Sequence, residues 1–395
     1  MYDLIIEDAT IVTADTKHTV IESGLVLISE GVILGVYDTK NPICGDLEAK
    51  VRLNASGKLL MPGIINMHCH AADSLFRGLV ENLALEDWLS KVWIAEKNIL
   101  TPETTYLGSV LGLAENLLAG VTTVMDMFWY PDRTAQAAKD LGLRIATGGI
   151  FFDPPGVGER GHADYKKEAT DFFIKHSADD FVFPMVMPHG TYTVSPKNLK
   201  EAKQLCDHYG GLFSTHAAET QTEQSDIKNR YGKSVVRHLH DLKILGPNTS
   251  LAHCVHVDTT EINLIVDSGT AVVHNPVSNL KLGSGIPPIG RFVESGALVT
   301  LGTDGAISGN DLDMWMALRL AATLPKGYEM RPNIIDAKEA LHMFTLNGAK
   351  ALGKESLIGS IEVGKKADLI LVNAQTIHST PMFDPITHLV YSTSK

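Results

Sequence analysis

Apolar and polar residues follow one another in two different patterns along this chain. Near the amino terminus, short apolar and β-branched runs are separated by Asp, Gly and Asn, which is typical of β-strands. These runs are Leu4–Ile6, Thr10–Val12, Gly24–Ile28 and Val32–Tyr37. Short strands are predicted again within residues 358–372, which read IGSIEVGKKADLILV. Because the two ends resemble each other and differ from the middle, we predict that together they form one small β domain.

In the middle of the chain, an apolar strand followed by an amphipathic helix is a repeated unit. The pattern predicts eight strands, at Ile64–His70, Val121–Met127, Leu143–Phe151, Phe181–Pro188, Leu212–His216, Thr249–His253, Thr270–His274 and Leu298–Asp304. It predicts helices at Thr104–Ala119, Asp132–Leu141, Pro196–Tyr209, Lys233–Leu245, Thr259–Ser268, Asp311–Leu324 and Ile335–Leu346. Continuous apolar strands that alternate with helices indicate a parallel sheet covered on its outer face.

This order of elements predicts an α/β protein whose main part is a (β/α)8 TIM barrel. A doubly wound open sheet is the alternative, and it is disfavoured because no G-x-G-x-x-G turn follows the first strand. We predict that residues 1–57 and 355–395 form a small β-sandwich domain and that residues 58–354 form the barrel. Because the chain ends at Lys395, soon after this domain resumes, we expect the domain to be either cut short or pared down at its carboxyl end.

Composition and charge narrow the class of protein. Of the 395 residues, 44% are hydrophobic and 20% are charged, which fits a globular enzyme with a full core. The net charge of -12, with no basic stripe to offset it, argues against nucleic acid or an anionic membrane as a partner. The amino terminus does not resemble a signal peptide, since Asp3 and Glu7 interrupt its apolar part. We therefore expect a cytoplasmic protein with free thiols at Cys44, Cys69, Cys206 and Cys254.

Histidines are concentrated at the carboxyl ends of the predicted barrel strands. Six of the 16 histidines lie there, namely His68, His70, His189, His216, His253 and His274, and Asp304 ends the eighth strand. Side chains on a strand alternate between faces, so His68 and His70 point the same way. Catalytic residues of such barrels converge at this end. We therefore predict a metal site made by His68, His70, His216 and Asp304, a set that suits Zn²⁺, with Fe²⁺ as second choice.

The predicted site holds one metal ion and needs groups that move protons. A second ion would require a bridging anion such as a carboxylated lysine, and Phe181–Pro188 contains no lysine. Glu219 lies just past the fifth strand and can reach a substrate atom beside the metal, while His253 can hydrogen-bond the nucleophilic water. Asp304 can accept a proton from that water. The alternative for Glu219 is a carboxylate that pairs with the dipole of a helix start.

Taken together, the motifs resemble the amidohydrolase superfamily, and within it the branch of 5′-methylthioadenosine/S-adenosylhomocysteine deaminases and related chlorohydrolases and aminohydrolases. The resemblance rests on PGIINMHCHAADSLFRGL (62–79), GVTTVMDM (120–127), PHGTYTVS (188–195), THAAET (215–220), LAHCVH (251–256), HNPVSNLKLGSGIPPI (274–289), LGTDGAISGNDLDM (301–314) and IGSIEVGKKADLILV (358–372). It implies the same four metal ligands. It also implies that Glu219 passes a proton to a ring nitrogen and that His253 orients the water.

The resemblance also implies substrate contacts. Glu96 matches a glutamate that binds ribose hydroxyls, and its alternative is a solvent-facing helix residue. His189 matches a histidine that contacts the substrate, and its alternative is a structural histidine at a strand end. The adenosine-analogue enzymes place an arginine after the third strand, where this chain has Gly149. Arg160 and His162 are the candidates to replace it.

The expected activity is hydrolytic deamination of an aminated nitrogen heterocycle, with an adenosine analogue such as 5′-methylthioadenosine or S-adenosylhomocysteine as first choice. The same site can instead act on guanine, a pterin or an s-triazine, with an amine or chloride as leaving group. A non-enzymatic barrel is a third hypothesis, but it predicts missing metal ligands, and all four are present. The expected partner is a small heterocyclic substrate, and we expect the protein to be a homo-oligomer.

Overall fold

A computed structural model describes residues 1–41 and 47–395 of the chain. Its strands are β1 (Tyr2–Val12), β2 (Val20–Ser29), β3 (Val32–Asp38), β4 (Ala49–Asn54), β5 (Lys58–Pro62), β6 (Ile64–His70), β7 (Val121–Asp126), β8 (Arg144–Phe151), β9 (Val182–Pro188), β10 (Leu212–Ala217), β11 (Thr249–His253), β12 (Ala271–His274), β13 (Val299–Leu301), β14 (Asp304–Gly305) and β15 (Leu369–Asn373).

The α-helices pack mainly between and after the strands of the central part. They are α1 (Leu85–Ile99), α2 (Pro102–Leu118), α3 (Pro131–Leu141), α4 (His162–His176), α5 (Pro196–Tyr209), α6 (Gln221–Tyr231), α7 (Val235–Asp241), α8 (Thr259–Ser268), α9 (Pro276–Lys281), α10 (Ile289–Glu294), α11 (Ala306–Gly309), α12 (Met314–Glu329), α13 (Ala337–Phe344), α14 (Leu346–Ala351) and α15 (Pro385–Tyr391). Short 3-10 turns lie at Ala71–Phe76, Val157–Glu159 and Ile377–Ser379.

The central strands form the predicted barrel. Strands β6 to β12 lie side by side in chain order, and every pair is parallel. The eighth strand is interrupted: β13 pairs with β12, and β14 pairs with β6, so these two pieces close the ring. Side chains of strands such as β8 and β11 are buried along their whole length, which explains why they read as continuous apolar runs.

A second sheet combines both ends of the chain, as the sequence predicts. Its order is β15-β5-β1-β2-β3, and β4 pairs with the first half of β1. Two predicted strands, Leu4–Ile6 and Thr10–Val12, are parts of the single strand β1, whose pairing with β2 shifts register between them. Apolar side chains from both ends fill its core, among them Ile6, Val26 and Ile361.

The last forty residues divide between the two parts of the molecule. Strand β15 pairs with β5 in the smaller sheet. Helix α15 instead contributes Ile386, Leu389 and Val390 to the large core that also contains residues of the barrel helices. Arg319 on α12 donates from Nη2 to the carbonyl oxygen of Thr393 at 2.6 Å. The domain boundaries at 57/58 and 354/355 remain a prediction.

One partly buried ion pair connects the smaller sheet to the barrel. Arg144, the first residue of β8, donates from Nε to Asp368 Oδ2 at 2.6 Å and from Nη2 to Asp368 Oδ1 at 3.2 Å. Asp368 directly precedes β15. Because Arg144 lies at the amino end of its strand, this contact is on the side of the barrel opposite the strand ends that carry the histidines.

Two sequence-based expectations concern the chain as a whole. Cys69, Cys206 and Cys254 are buried free thiols, whereas Cys44 lies outside the described residues. No described helix combines the length and the apolar character that a membrane crossing requires.

Candidate active site

The four predicted metal ligands meet at the carboxyl end of the barrel. Asp304 Oδ1 lies 3.0 Å from His70 Nε2 and 3.4 Å from His68 Nε2. His216 Nε2 lies 3.3 Å from His70 Nε2. Strands β6, β10 and β14 therefore bring together residues that are far apart in sequence.

His253 lies beside this group. The ligand atoms of His68, His216, His253 and Asp304 all fall within 4.8 Å of one another. His253 Nδ1 is hydrogen-bonded to Asn279 Oδ1 at 2.8 Å, and its Nε2 lies 3.7 Å from Glu219 Oε2. The structure thus places His253 between the ligand cluster and Glu219.

The hydrogen bonds of the imidazoles show which ring nitrogens are available to bind a metal ion. His70 Nδ1 is hydrogen-bonded to the carbonyl oxygen of Met127 at 2.5 Å, and His216 Nδ1 is hydrogen-bonded to the carbonyl oxygen of His189. As a carbonyl only accepts, each Nδ1 is the donor, and each Nε2 faces the cluster. His68 Nε2 is buried without a hydrogen-bond partner. A carbonyl that fixes the second ring nitrogen is the usual arrangement of a metal-binding histidine.

The cluster combines one buried carboxylate with imidazoles whose pKa values differ widely. Burial lowers the pKa of His68 to about 4. Burial also opposes protonation of His70, yet its hydrogen bond to Asp304 raises the pKa of His70 to about 10. The pKa of the Asp304 carboxyl is correspondingly held well below its usual value by His68 and His70, against the effect of burial. Three imidazoles around one buried carboxylate therefore fit a divalent metal ion.

The backbone at the cluster is strained. His253 and Asp304 have φ of 76° and 64°, the left-handed region that non-glycine residues rarely adopt. Such positions cost on the order of 1–3 kcal/mol each and are retained mainly at functional sites. Asp304 is held in addition by Ser278, whose Oγ donates to Asp304 Oδ2 at 2.5 Å.

Glu219 is buried beside the cluster and lines the same cavity, with 3% of its surface exposed. Burial raises the pKa of its carboxyl, and His253 opposes that shift. Its own backbone N–H donates to Glu223 Oε2 at 2.9 Å, and the side chain that caps the start of α6 is Thr220. The geometry therefore favours a role in the cavity over pairing with a helix dipole.

The cavity in front of the cluster has aromatic walls. Helix α1, which is not among the helices predicted from the sequence, supplies one wall through Leu85, Trp88, Leu89, Val92, Trp93 and Glu96. Met127, Phe128, Trp129, Ile150, Tyr192 and Leu282 lie around the remainder. Flat apolar surfaces with a few polar groups are typical of a pocket for an aromatic ligand.

Both predicted substrate contacts lie in this cavity. Glu96 is 6% exposed and accepts a hydrogen bond from Trp129 Nε1 at 2.9 Å, so it does not face solvent. His189 packs edge-on against Trp93 and Tyr192, and its Nδ1 is hydrogen-bonded to Thr193 Oγ1 at 2.9 Å.

The two candidates for the missing arginine do not lie in the cavity lining. Arg160 donates to Glu168 Oε1 at 2.8 Å, and His162 Nε2 lies 3.1 Å from Glu201 Oε2. At Gly149 an added Cβ would lie 2.3 Å from the Cβ of Ala169 on α4, so this position faces a helix. Among the lining residues that the structure describes, none is lysine or arginine.

Other residues at the site were missed or assigned no role from sequence. Asp73 lines the cavity, Ser278 binds Asp304, and Asn279 binds His253. Each follows a site strand by a few residues, as the polar residues of barrel active sites commonly do. His274 is buried with no partner for either ring nitrogen and lies outside the described cavity lining.

Comparison with known proteins identifies the family of this chain. A model of the amidohydrolase family matches residues 59–395. The chain belongs to this family. Among the relatives of this amidohydrolase is the 5-methylthioadenosine/S-adenosylhomocysteine deaminase of Symbiobacterium thermophilum, 39% identical over 99% of this chain and 90% of the relative. Another is the 5′-deoxyadenosine deaminase of Methanosarcina acetivorans, 38% identical over 99% of this chain and 89% of the relative.

A solved structure extends the similarity to three dimensions. The crystal structure of an adenosine deaminase from Xanthomonas campestris, with bound zinc, superposes on this amidohydrolase with a TM-score of 0.97. The two are 32% identical, and the match covers 100% of this chain and 90% of that one.

Proposed function

We propose that this amidohydrolase is a metal-dependent deaminase that replaces the exocyclic amine of a nitrogen heterocycle by oxygen from water, with an adenosine analogue as its substrate. The observation that carries the proposal is the position of buried Glu219 and His253 beside a cluster of three histidines and an aspartate, at the end of an aromatic cavity. The names of the two deaminase relatives and of the adenosine deaminase structure support the substrate class.

The proposed metal ligands are His68, His70, His216 and Asp304, since their facing atoms are separated by 3.0 to 3.4 Å along the cluster. Zinc is our first choice and ferrous iron the second, because nitrogen and carboxylate ligands suit both. When bound, the metal makes water a strong nucleophile near neutral pH.

The protein's own groups move the protons. His253, held through Nδ1 by Asn279, presents Nε2 to the attacking water and orients it. Asp304 accepts a proton from that water. Glu219, which burial favours in its protonated form, donates a proton to the ring nitrogen beside the reacting carbon. As the tetrahedral intermediate collapses, Asp304 passes its proton to the departing amine and the new hydroxyl group returns a proton to Glu219, so water and the amine give the oxo product and ammonia.

The cavity walls bind the remainder of the substrate. Trp88 and Trp93 on α1 offer flat apolar surfaces to the heterocycle. Glu96 is proposed to accept hydrogen bonds from ribose hydroxyls, and His189 to contact the substrate beside the cluster, since both lie in the cavity lining.

Replacing Glu219 by Gln tests the chemistry. We expect Glu219→Gln to keep its metal and to lose at least about 100-fold in turnover, because an amide cannot supply the acid proton. Ammonia release is measured on 5′-methylthioadenosine, S-adenosylhomocysteine, 5′-deoxyadenosine and adenosine, and metal content by elemental analysis. The exposed Glu355→Gln is the matched control. Near-wild-type turnover by Glu219→Gln would show that Glu219 is not the proton donor.

The same assay separates the alternative substrates. Guanine, aminopterins, aminotriazines and chlorotriazines are added to the panel, with chloride release followed for the last. If one of these compounds is turned over and no adenosine analogue is, the proposed substrate class is wrong. The proposed metal-dependent reaction would still hold.

The location and the oligomeric state of the protein are also proposals. We propose a cytoplasmic homo-oligomer, from the membership of the amidohydrolase family. Light scattering on the purified protein measures its oligomeric state.

A further inference from the structure

Asp73 is a buried carboxyl group in the cavity with an unused hydrogen-bonding atom. It lies in the 3-10 turn Ala71–Phe76 that follows β6, lines the cavity, and is 4% exposed. Its Oδ1 has no hydrogen-bond partner. Leaving a buried polar atom without a partner is destabilising, so such an atom in a pocket points to a bound group that satisfies it.

The space for this carboxyl is provided by a glycine on the closing strand. A Cβ at Gly305 would lie 3.0 Å from Asp73 Oδ2 and 3.3 Å from the Cβ of His70. Asp73 therefore belongs to the cavity wall, three residues after the proposed ligand His70.

Acidic groups predominate around Asp73. Burial raises the pKa of Asp73 well above its usual value, and the charges of Glu96, Asp304 and Asp126 raise it further, while His70 opposes them. The lining described by the structure offers no lysine or arginine to balance these carboxyls. A ligand that fits this wall supplies hydrogen-bond donors and carries no negative charge.

Glu96 is the second acceptor on the same wall. Its Oε2 accepts from Trp129 Nε1, which fixes the carboxyl at the edge of the cavity. The pKa of Glu96 is raised to about 7, mainly by burial and against its hydrogen bond to Trp129. Two carboxyls that line one cavity match two adjacent hydroxyl groups, each of which can donate a hydrogen bond to a carboxyl oxygen.

We propose that Asp73 acts together with Glu96 as a clamp for the vicinal hydroxyls of the substrate's sugar and makes the site selective for uncharged nucleosides over nucleotides. The inference rests on the proposed deaminase function, and it names a specificity-determining residue, Asp73, and the substrate class that it selects.

The test compares adenosine with 2′,3′-dideoxyadenosine in the zinc-loaded wild-type protein and in Asp73→Leu. Leucine has nearly the shape of aspartate and removes both acceptors. We expect the ratio of kcat/KM for adenosine to kcat/KM for the dideoxy analogue to fall at least tenfold in the variant. The fall should appear mainly as a higher KM for adenosine, because the contact is remote from the reacting carbon.

Asp73→Asn is the second variant and keeps one acceptor oxygen, so we expect a smaller fall in the ratio. Asp267→Asn, on the exposed side of α8, is the matched control. Adenosine 5′-monophosphate serves as the charged probe. We expect the wild-type kcat/KM for this nucleotide to be at least tenfold below that for adenosine. In Asp73→Asn we expect the ratio between the two kcat/KM values to be smaller.

Equal losses on adenosine and on the dideoxy analogue would overturn the clamp and leave Asp73 a structural residue. No loss on either would overturn it as well. If the wild-type protein deaminates neither nucleoside, the proposed function fails, and calorimetric binding of the two nucleosides decides the clamp separately. Tighter binding of adenosine that Asp73→Leu abolishes would support it, and equal binding would overturn it.

Discussion

At the scale of single residues, the site depends on groups that hold its working side chains in place. His70 and His216 each use Nδ1 on a backbone carbonyl, and Asp304 is bound by the hydroxyl of Ser278. Each contact fixes one side of a side chain and leaves the other side for the metal. Removing such a contact should weaken metal binding, because the ligand side chain stays in place but is held less firmly.

Ser278→Ala tests this at the carboxylate. We expect metal affinity to fall about 10- to 100-fold, the usual effect of losing a hydrogen-bond partner of a ligand. Affinity is measured by competition with a chromophoric chelator, and the exposed Ser177→Ala on the other side of the barrel is the control. Unchanged affinity would show that Asp304 is held by its backbone alone.

The sequence pattern predicts the proposed metal ligands but not the contacts that hold them. His68, His70 and Asp304 could be predicted because a strand end fixes where a side chain points. The partners of the ring nitrogens are carbonyl oxygens of distant residues, and every residue has one, so no pattern marks them. Asp73 carries no signal either, since its significance comes from the cavity in front of it.

At the scale of elements, strands β8 and β9 approach closely at a glycine. A Cβ on Gly148 would lie 1.8 Å from the carbonyl oxygen of Met185 in the paired strand. Gly148→Ala should lower the free energy of unfolding by about 1–3 kcal/mol or more, because the neighbour is backbone and cannot move aside. Urea denaturation followed by circular dichroism measures it.

The control for Gly148 is a glycine with open space around it. Gly327 lies in α12 with nothing within 4 Å of an added Cβ. Gly327→Ala should raise the free energy of unfolding by about 0.5–1 kcal/mol, as expected for removing a helical glycine. Equal effects of the two substitutions would show that the strands can separate to accept a methyl group.

Whole elements were predicted where burial leaves a strong pattern. Strand β11 and helix α5 have the predicted bounds, because one is apolar throughout and the other begins at Ser195-Pro196. Helix α6 was missed since only Glu223 and Ile227 are buried, which leaves almost no periodic signal. Helix α1 does carry buried residues at helical spacing, and that signal was available.

At the scale of the molecule, the ion pair of Arg144 with Asp368 joins the smaller sheet to the barrel. The side chain of Arg144 is 6% exposed, so loss of its partner leaves a buried charge. Asp368→Asn should lower the free energy of unfolding by about 1–3 kcal/mol, since Arg144 keeps its hydrogen bond to the carbonyl oxygen of Asp180. Turnover per folded molecule should not change, because the pair lies at the amino ends of the strands.

Denaturation and activity are measured on the same samples of this variant. Glu22→Gln removes a partner from an exposed pair, Lys40 with Glu22, and should change stability by less than about 1 kcal/mol. Similar changes in the two variants would show that Arg144 finds water or another acceptor when Asp368 is neutral.

The interrupted eighth strand has a consequence for how the molecule is assembled. The proposed ligands His68 and His70 belong to the first strand of the barrel, whereas Asp304 belongs to the short strand β14 that pairs with it and completes the ring. An ion shared by these residues is a cross-link between the beginning and the end of the barrel's chain. The ion can be bound tightly only after β14 has paired with β6. Metal uptake during refolding therefore reports when the ring closes.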